Sequence, residues 1–153
     1  MLAGVAEPNA ELRARFARDH DVPIHEDARE LVETPEIDAV YIATPHQFHM
    51  EHAVLAADRG KHIVVEKPMA LTLEECAAMI DAAERAGVAL IVGHTYSFEP
   101  AIKEISRLAS TGSFGPLAML AMWNYTDFLY RPRRAEELDT SRGGGTRSRA
   151  GLW

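Results

Sequence analysis

The sequence predicts an α/β fold: an incomplete Rossmann-type doubly wound parallel sheet, followed by the start of a second α/β domain. Three observations point there. Short apolar runs rich in β-formers alternate with amphipathic segments over residues 1–95. Two runs, "DAVYIATP" (38–45) and "HIVVEKP" (62–68), are apolar nearly throughout, which suits strands buried on both faces of a parallel sheet. Two helical segments run into glycines, Gly60 and Gly87, placed as C-terminal stops.

The elements follow in order. "LAGVA" (2–6) is a short strand, closed by the turn residues Glu7, Pro8 and Asn9. "AELRARFARDH" reads as a helix, with Leu12 and Phe16 four apart on one face. "DVPIHED" holds a short strand or turn at 22–24, and "DARELVETP" a short helix closed by Pro35. The strand at 38–45 leads into a helix from about His46 to Arg59, and the strand at 62–68 follows. Thr72 and Glu75 make a Thr-x-x-Glu capping box for a helix reaching Ala86. "VALIVGH" is the next buried strand. The alternation then breaks. "EPAIKEISRLASTGSFG" is one more helix, "PLAMLAMWNYTDF" has strand character, and "LYRPRRAEELDTSRGGG" is loop-like. The predicted organisation is a partial dinucleotide domain over 1–95, the start of a substrate domain over 96–145, and an atypical tail over 146–153.

Composition narrows the function classes. A formal net charge of −7 argues against nucleic acid or an anionic membrane surface as the main partner. No apolar run approaches the roughly 20 residues of a membrane span. The first residues have no basic region ahead of an apolar stretch, so a cytoplasmic protein is the simplest expectation. The single cysteine, Cys76, excludes an intramolecular disulfide and a multi-cysteine metal site.

In an open α/β sheet, ligands bind beyond the carboxyl ends of the strands. Glu7, Thr44-Pro45, Glu66-Lys67-Pro68 and Gly93-His94 all fall at such ends. Glu7 is either a solvated turn residue or a carboxylate that accepts hydrogen bonds from an adenosine ribose. Lys67, between a buried strand and a proline, is expected half-buried beside Glu66. It is either one half of a strand-end ion pair or a proton donor to a substrate oxygen. His46, His49 and His52 invite a metal reading, but helical steps of three drift by roughly 60° each, so the three do not converge on one ion. No metal is expected. Arg133 and Arg134 lie in "RPRR", either a solvated loop or a clamp for a carboxylated substrate, since arginine pairs bidentately with carboxylate. "RGGG" (142–145) is not a strand-borne Gly-x-Gly-x-x-Gly and has no phosphate-loop lysine.

Taken together, "IDAVYIATPHQFHMEHAVLAADRGKHIVVEKPMALT" and "VGHTYSFEPAIKEI" resemble the glucose-fructose oxidoreductase / inositol dehydrogenase (Gfo/Idh/MocA) family. The resemblance covers most of the chain, from Leu2 to Gly145. It implies an NAD(P)-dependent oxidoreductase that transfers hydride between a nicotinamide and a hydroxyl-bearing carbon. It implies Lys67 as the catalytic acid/base group. Thr44, Pro45 and His49 would line the cofactor, and Glu66 would lie beside the nicotinamide ribose. His94, from its place at a strand end, is also expected to bind the cofactor. Glu7 would meet the adenosine ribose, which favours NAD over NADP. "NYTDFLYRPRRAEELDTSRGGG" looks like the phthalate dihydrodiol or dihydroxyphthalate dehydrogenase branch, whose substrates carry carboxylates. A sugar or inositol dehydrogenase, a non-catalytic binding relative and an inactive remnant are the alternatives. The full-length relative is expected to be a homo-oligomer acting on a small molecule.

The chain departs from the family pattern at both ends. The family's first strand and Gly-x-Gly-x-x-Gly turn are missing, and "TRSRAGLW" stands where a histidine-bearing segment is expected. An internal fragment of such an enzyme is the expectation, with little activity of its own and a tendency to self-associate through open strand edges.

Overall fold

A computed structural model describes residues 1–123. The chain divides into two compact units, Met1–Gly93 and His94–Trp153. In the first unit five strands and four helices alternate: β1 (Val5–Ala6), α1 (Ala10–Asp19), β2 (Ile24–His25), α2 (Ala28–Val32), β3 (Ala39–Ile42), α3 (His49–Asp58), β4 (His62–Val65), α4 (Leu73–Ala86) and β5 (Leu90–Val92). All strand pairs are parallel, in a two-stranded sheet β1-β2 and a three-stranded sheet β3-β4-β5. A cavity of about 550 Å³ is lined by residues of both β1 and β3.

Local chemistry sets the element ends. Asn9 caps α1, its Oδ1 accepting from the backbone N–H groups of Glu11 and Leu12. Asp27 caps α2 in the same way. Thr72 caps α4 by accepting from the Glu75 N–H at 3.2 Å, while the Glu75 carboxylate takes the N–H of Leu71 rather than that of Thr72 itself. Gly87 ends α4 with φ +67°, a conformation that costs glycine nothing. The helix expected from His46 begins as a single 3-10 turn over His46–Phe48, and α3 proper starts at His49.

The core lies between the three-stranded sheet and the helices α3 and α4. Val40, Ile42, Ile63 and Val65 meet Ala53, Ala56, Ala57, Met79 and Ala82. The three alanines on α3 let its backbone lie close to the sheet, and each fully buried aliphatic side chain contributes about 1.5–3 kcal/mol. The opposite sheet face differs from expectation. Burial along β3 alternates, leaving Tyr41 62% and, on β5, Ile91 47% exposed. Sequence periodicity reports the burial a strand is built for, and among the described residues only one face receives that cover.

The second unit, among its described residues, contains a 3-10 turn at Thr95–Phe98 and α5 (Pro100–Ser110), which starts with proline in its first turn. Residues 117–123 form no strand, contrary to their apolar pattern, and Leu117, Met119, Leu120, Met122 and Trp123 are exposed. A strand needs a neighbour for its N–H and C=O groups, and the described residues of this unit supply none. Arg133, Arg134 and the glycines of 142–145 lie outside the described residues.

Candidate active site

The register of the three-stranded sheet brings the ends of β3, β4 and β5 to one edge. Ile42 pairs with Val65, and Val65 with Val92. The ladder runs one rung further: the Glu66 N–H donates to the Ile42 carbonyl at 2.9 Å and the Gly93 N–H to the Val65 carbonyl at 2.7 Å. Glu66, Lys67 and Pro68 therefore emerge between the Thr44-Pro45 turn and Gly93. The Lys67-Pro68 peptide is cis.

Glu66 is tightly held. The Tyr41 hydroxyl donates to its Oε1 at 2.5 Å, and the Lys67 N–H donates to its Oε2 at 3.1 Å. These two bonds, the phenol first, hold the Glu66 carboxyl below its ordinary value, against a small opposing effect of burial. The same contact raises the Tyr41 phenol above its ordinary value. Lys67 itself is exposed, so the expected half-buried lysine is not found. The edge holds its backbone and leaves the ammonium group reaching into solvent.

His49, at the first turn of α3, is fully buried. Its Nδ1 lies 2.9 Å from the Pro68 carbonyl oxygen and its Nε2 2.9 Å from that of Thr44. His52 sits one turn on, with Nδ1 3.2 Å from Thr44 Oγ1 and its ring stacked on Phe48. Burial lowers the pKa of His52 from its ordinary value. Among the described residues no group of three or more His, Cys, Asp or Glu side chains is arranged to hold a metal ion.

The structure thus brings Thr44, Pro45, His49, Glu66 and Lys67 to one edge. Glu7 stands elsewhere, at the end of β1 in the two-stranded sheet. Its Oε1 accepts from the Asn9 N–H at 2.9 Å, and Arg13 bonds the carbonyls of Glu7 and Pro8 and the Glu26 carboxylate. His94 belongs to the second unit, where its carbonyl accepts from the Ser97 N–H and its side chain is exposed. Sequence reasoning missed Tyr41. Its register partner is Val64, two residues before Glu66, and a tyrosine reaches a diagonal neighbour at that offset.

Gly93 shows how closely the backbones approach. A Cβ there would stand 3.3 Å from the Val65 carbonyl oxygen and 3.7 Å from Glu66 Oε1. Glu66 gives this edge one carboxylate at the end of β4, and Glu7 gives another at the end of β1 in the other sheet. Such carboxylates fit the hydroxyl-rich ends of a dinucleotide, since a carboxylate accepts from paired ribose hydroxyls. No Gly-x-Gly-x-x-Gly turn for its phosphates occurs among the described residues.

Comparison with known proteins gives the same direction. Residues 1–94 match an oxidoreductase family with an NAD-binding Rossmann fold. A 1-carboxy-3-chloro-3,4-dihydroxycyclohexa-1,5-diene dehydrogenase of Comamonas testosteroni is 52% identical over 122 residues, covering 80% of this chain and 31% of the relative. A crystal structure from Bordetella bronchiseptica RB50, assigned as a dehydrogenase, superposes with a TM-score of 0.86 at 48% identity, covering 95% of this chain and 38% of that one. Levoglucosan dehydrogenase in complex with NADH and levoglucosan superposes with a TM-score of 0.68 at 38% identity, covering 74% of this chain and 31% of that one. The chain spans about a third of the length of the curated relatives it matches. The match to the family over residues 1–94, on a parallel sheet whose strand ends carry Glu-Lys-Pro, means that this chain belongs to the oxidoreductase family with an NAD-binding Rossmann fold.

Proposed function

We propose that the full-length protein is an NAD-dependent dehydrogenase acting on a hydroxyl-bearing carbon of a carboxylated aromatic dihydrodiol. The observation that carries this is Lys67, exposed at the end of β4 and set between a hydrogen-bonded Glu66 and Pro68. The similarity to the Comamonas testosteroni dehydrogenase supports the substrate class.

Glu7 and Glu66 would take the ribose hydroxyls, and Thr44 and Pro45 would line the nicotinamide side. NAD, when bound, supplies the hydride acceptor. Lys67 Nζ, as the neutral amine, would accept the proton of the substrate hydroxyl as its carbon gives up a hydride. An exposed side chain suits this, because a substrate must reach it and can itself expel the water around it. Arg133 and Arg134, outside the described residues, would pair with the substrate carboxylate. Residues 1–95 would form the cofactor domain and 96–145 begin the substrate domain. The protein would work in the cytoplasm as a homo-oligomer on a small molecule, with neither nucleic acid nor membrane as partner. Among the described residues no helix is long and apolar enough to cross a membrane. A sugar-type substrate is the second reading, favoured by the likeness to levoglucosan dehydrogenase.

The test is to supply the full-length protein with NAD+ and carboxylated dihydrodiols, then anhydrosugars and inositols, and follow NADH formation. Turnover of the dihydrodiols is expected. Turnover of sugars alone would replace the substrate class, and no turnover with any would remove the dehydrogenase reading.

A further inference from the structure

We infer that His49 is a positioning residue for Lys67, acting as a two-ended tie that carries the β3–β4 pairing past the last backbone hydrogen bond. The inference rests on the proposed role of Lys67.

The β3–β4 ladder ends where the Glu66 N–H meets the Ile42 carbonyl. Beyond it the two chains turn apart. The carbonyls of Thr44 and Pro68, one on each chain, face the two nitrogens of one fully buried imidazole at 2.9 Å each. A carbonyl oxygen only accepts and a neutral imidazole carries one N–H, so either neutral tautomer bonds one of the two carbonyls and the imidazolium bonds both together. Doubly protonated, the ring does between side chain and backbone what the ladder did between backbones. Lys67 lies between two anchors. On one side Glu66 is fixed by Ile42 and Tyr41, and on the other Pro68 is fixed by His49. Fixing the residues on both sides restricts the backbone from which the lysine side chain extends, although nothing encloses the side chain itself. Both nitrogens are committed to backbone carbonyls, which gives His49 a role distinct from contact with a ligand.

The two ends can be cut separately. In His49→Asn the amide nitrogen stands near the position of Nδ1 and keeps the Pro68 end. In His49→Gln it stands near Nε2 and keeps the Thr44 end. His49→Leu keeps neither. In the full-length protein kcat should fall in the order wild type, His49→Asn, then His49→Gln and His49→Leu together. The last two should lose roughly 10- to 100-fold, because small misplacements of a catalytic group cost that much. KM for NAD+ should change less than threefold, which is about 0.65 kcal/mol of binding. A merely structural role would scale kcat loss with loss of stability and would not prefer asparagine to glutamine.

A second readout does not need activity. Amide hydrogen exchange at Lys67 should quicken in His49→Gln, while Ile63, bonded to the Ala89 carbonyl just before β5, keeps its wild-type protection. Equal kcat in the asparagine and glutamine variants, or exchange that rises at Lys67 and Ile63 alike, would overturn the inference. If wild type turns over no substrate, the dehydrogenase reading falls, and the exchange comparison alone decides whether His49 holds this turn.

Discussion

The ends of β4 and β1 are built in different ways. Past β4, the chain is held by partners distant in sequence: Tyr41 bonds Glu66 across 25 residues, and His49 bonds Pro68 across 19. Past β1, the bonds are mostly local, with Glu7 accepting from Asn9 and Arg13 gripping the carbonyls of Glu7 and Pro8. The Arg13–Glu26 ion pair, at 2.7 Å, and the Glu7 N–H bond to the His25 carbonyl, at 3.1 Å, reach further. The contrast fits the two roles proposed above for Lys67 and Glu7. A group that moves a proton must hold its place to fractions of an ångström. A carboxylate that receives ribose hydroxyls needs only to be present on a stable turn.

The strongest way to test the contrast is at Lys67. Lys67→Ala in the full-length protein should lower kcat by roughly 10²- to 10⁴-fold, the usual contribution of a positioned acid or base, with circular dichroism unchanged. At the other end, Glu7→Ala should leave kcat near wild type. It should weaken NAD+ relative to NADP+ by roughly tenfold, the worth of a hydrogen bond to a charged acceptor, as measured by titration of both cofactors. Asn9→Ala should cost about 1 kcal/mol in urea unfolding through loss of the α1 cap, with no change in kcat.

The smallest effect concerns Glu66. Its carboxyl is held below the ordinary value of 4.5, chiefly by the Tyr41 hydroxyl. A carboxyl depressed in the folded state contributes stability that is present above its unfolded value and is lost as pH falls through the folded one. Tyr41→Phe removes the main cause, so the Glu66 carboxyl should rise toward 4.5, with the loss of stability full at pH above that value and fading as pH falls below it. Carbonyl-region NMR of the variant across that range would measure it. An unchanged titration would mean that the Lys67 N–H, not the phenol, sets the carboxylate.

Much of the fold was legible because its signals are local. Asn9, Thr72 and Gly87 mark helix ends through bonds within a few residues, and the apolar runs mark β3, β4 and β5. The edge itself was legible too, since parallel strands deliver Thr44, Glu66 and Gly93 to one side. The rest depends on register. That Tyr41 reaches Glu66, or that His49 spans two turns, follows from which residues lie opposite each other across strands, which no local pattern encodes. The exposure of Lys67 escaped for a related reason: a proline limits the backbone beside it but says nothing about the side chain. The apolar pattern of residues 117–123 promised a strand, but a pattern cannot supply the neighbour a strand requires.

Gly93 gives the edge a dimension of its own. With 3.3 Å between a would-be methyl and the Val65 carbonyl, the width of the gap between β4 and β5 is set by an atom that glycine lacks. Alanine at this position would act as a shim, forcing the strand ends apart by a few tenths of an ångström and tilting Glu66 with them. The gauge of the site is therefore set where two backbones meet, at the one position that carries no Cβ to hold them apart.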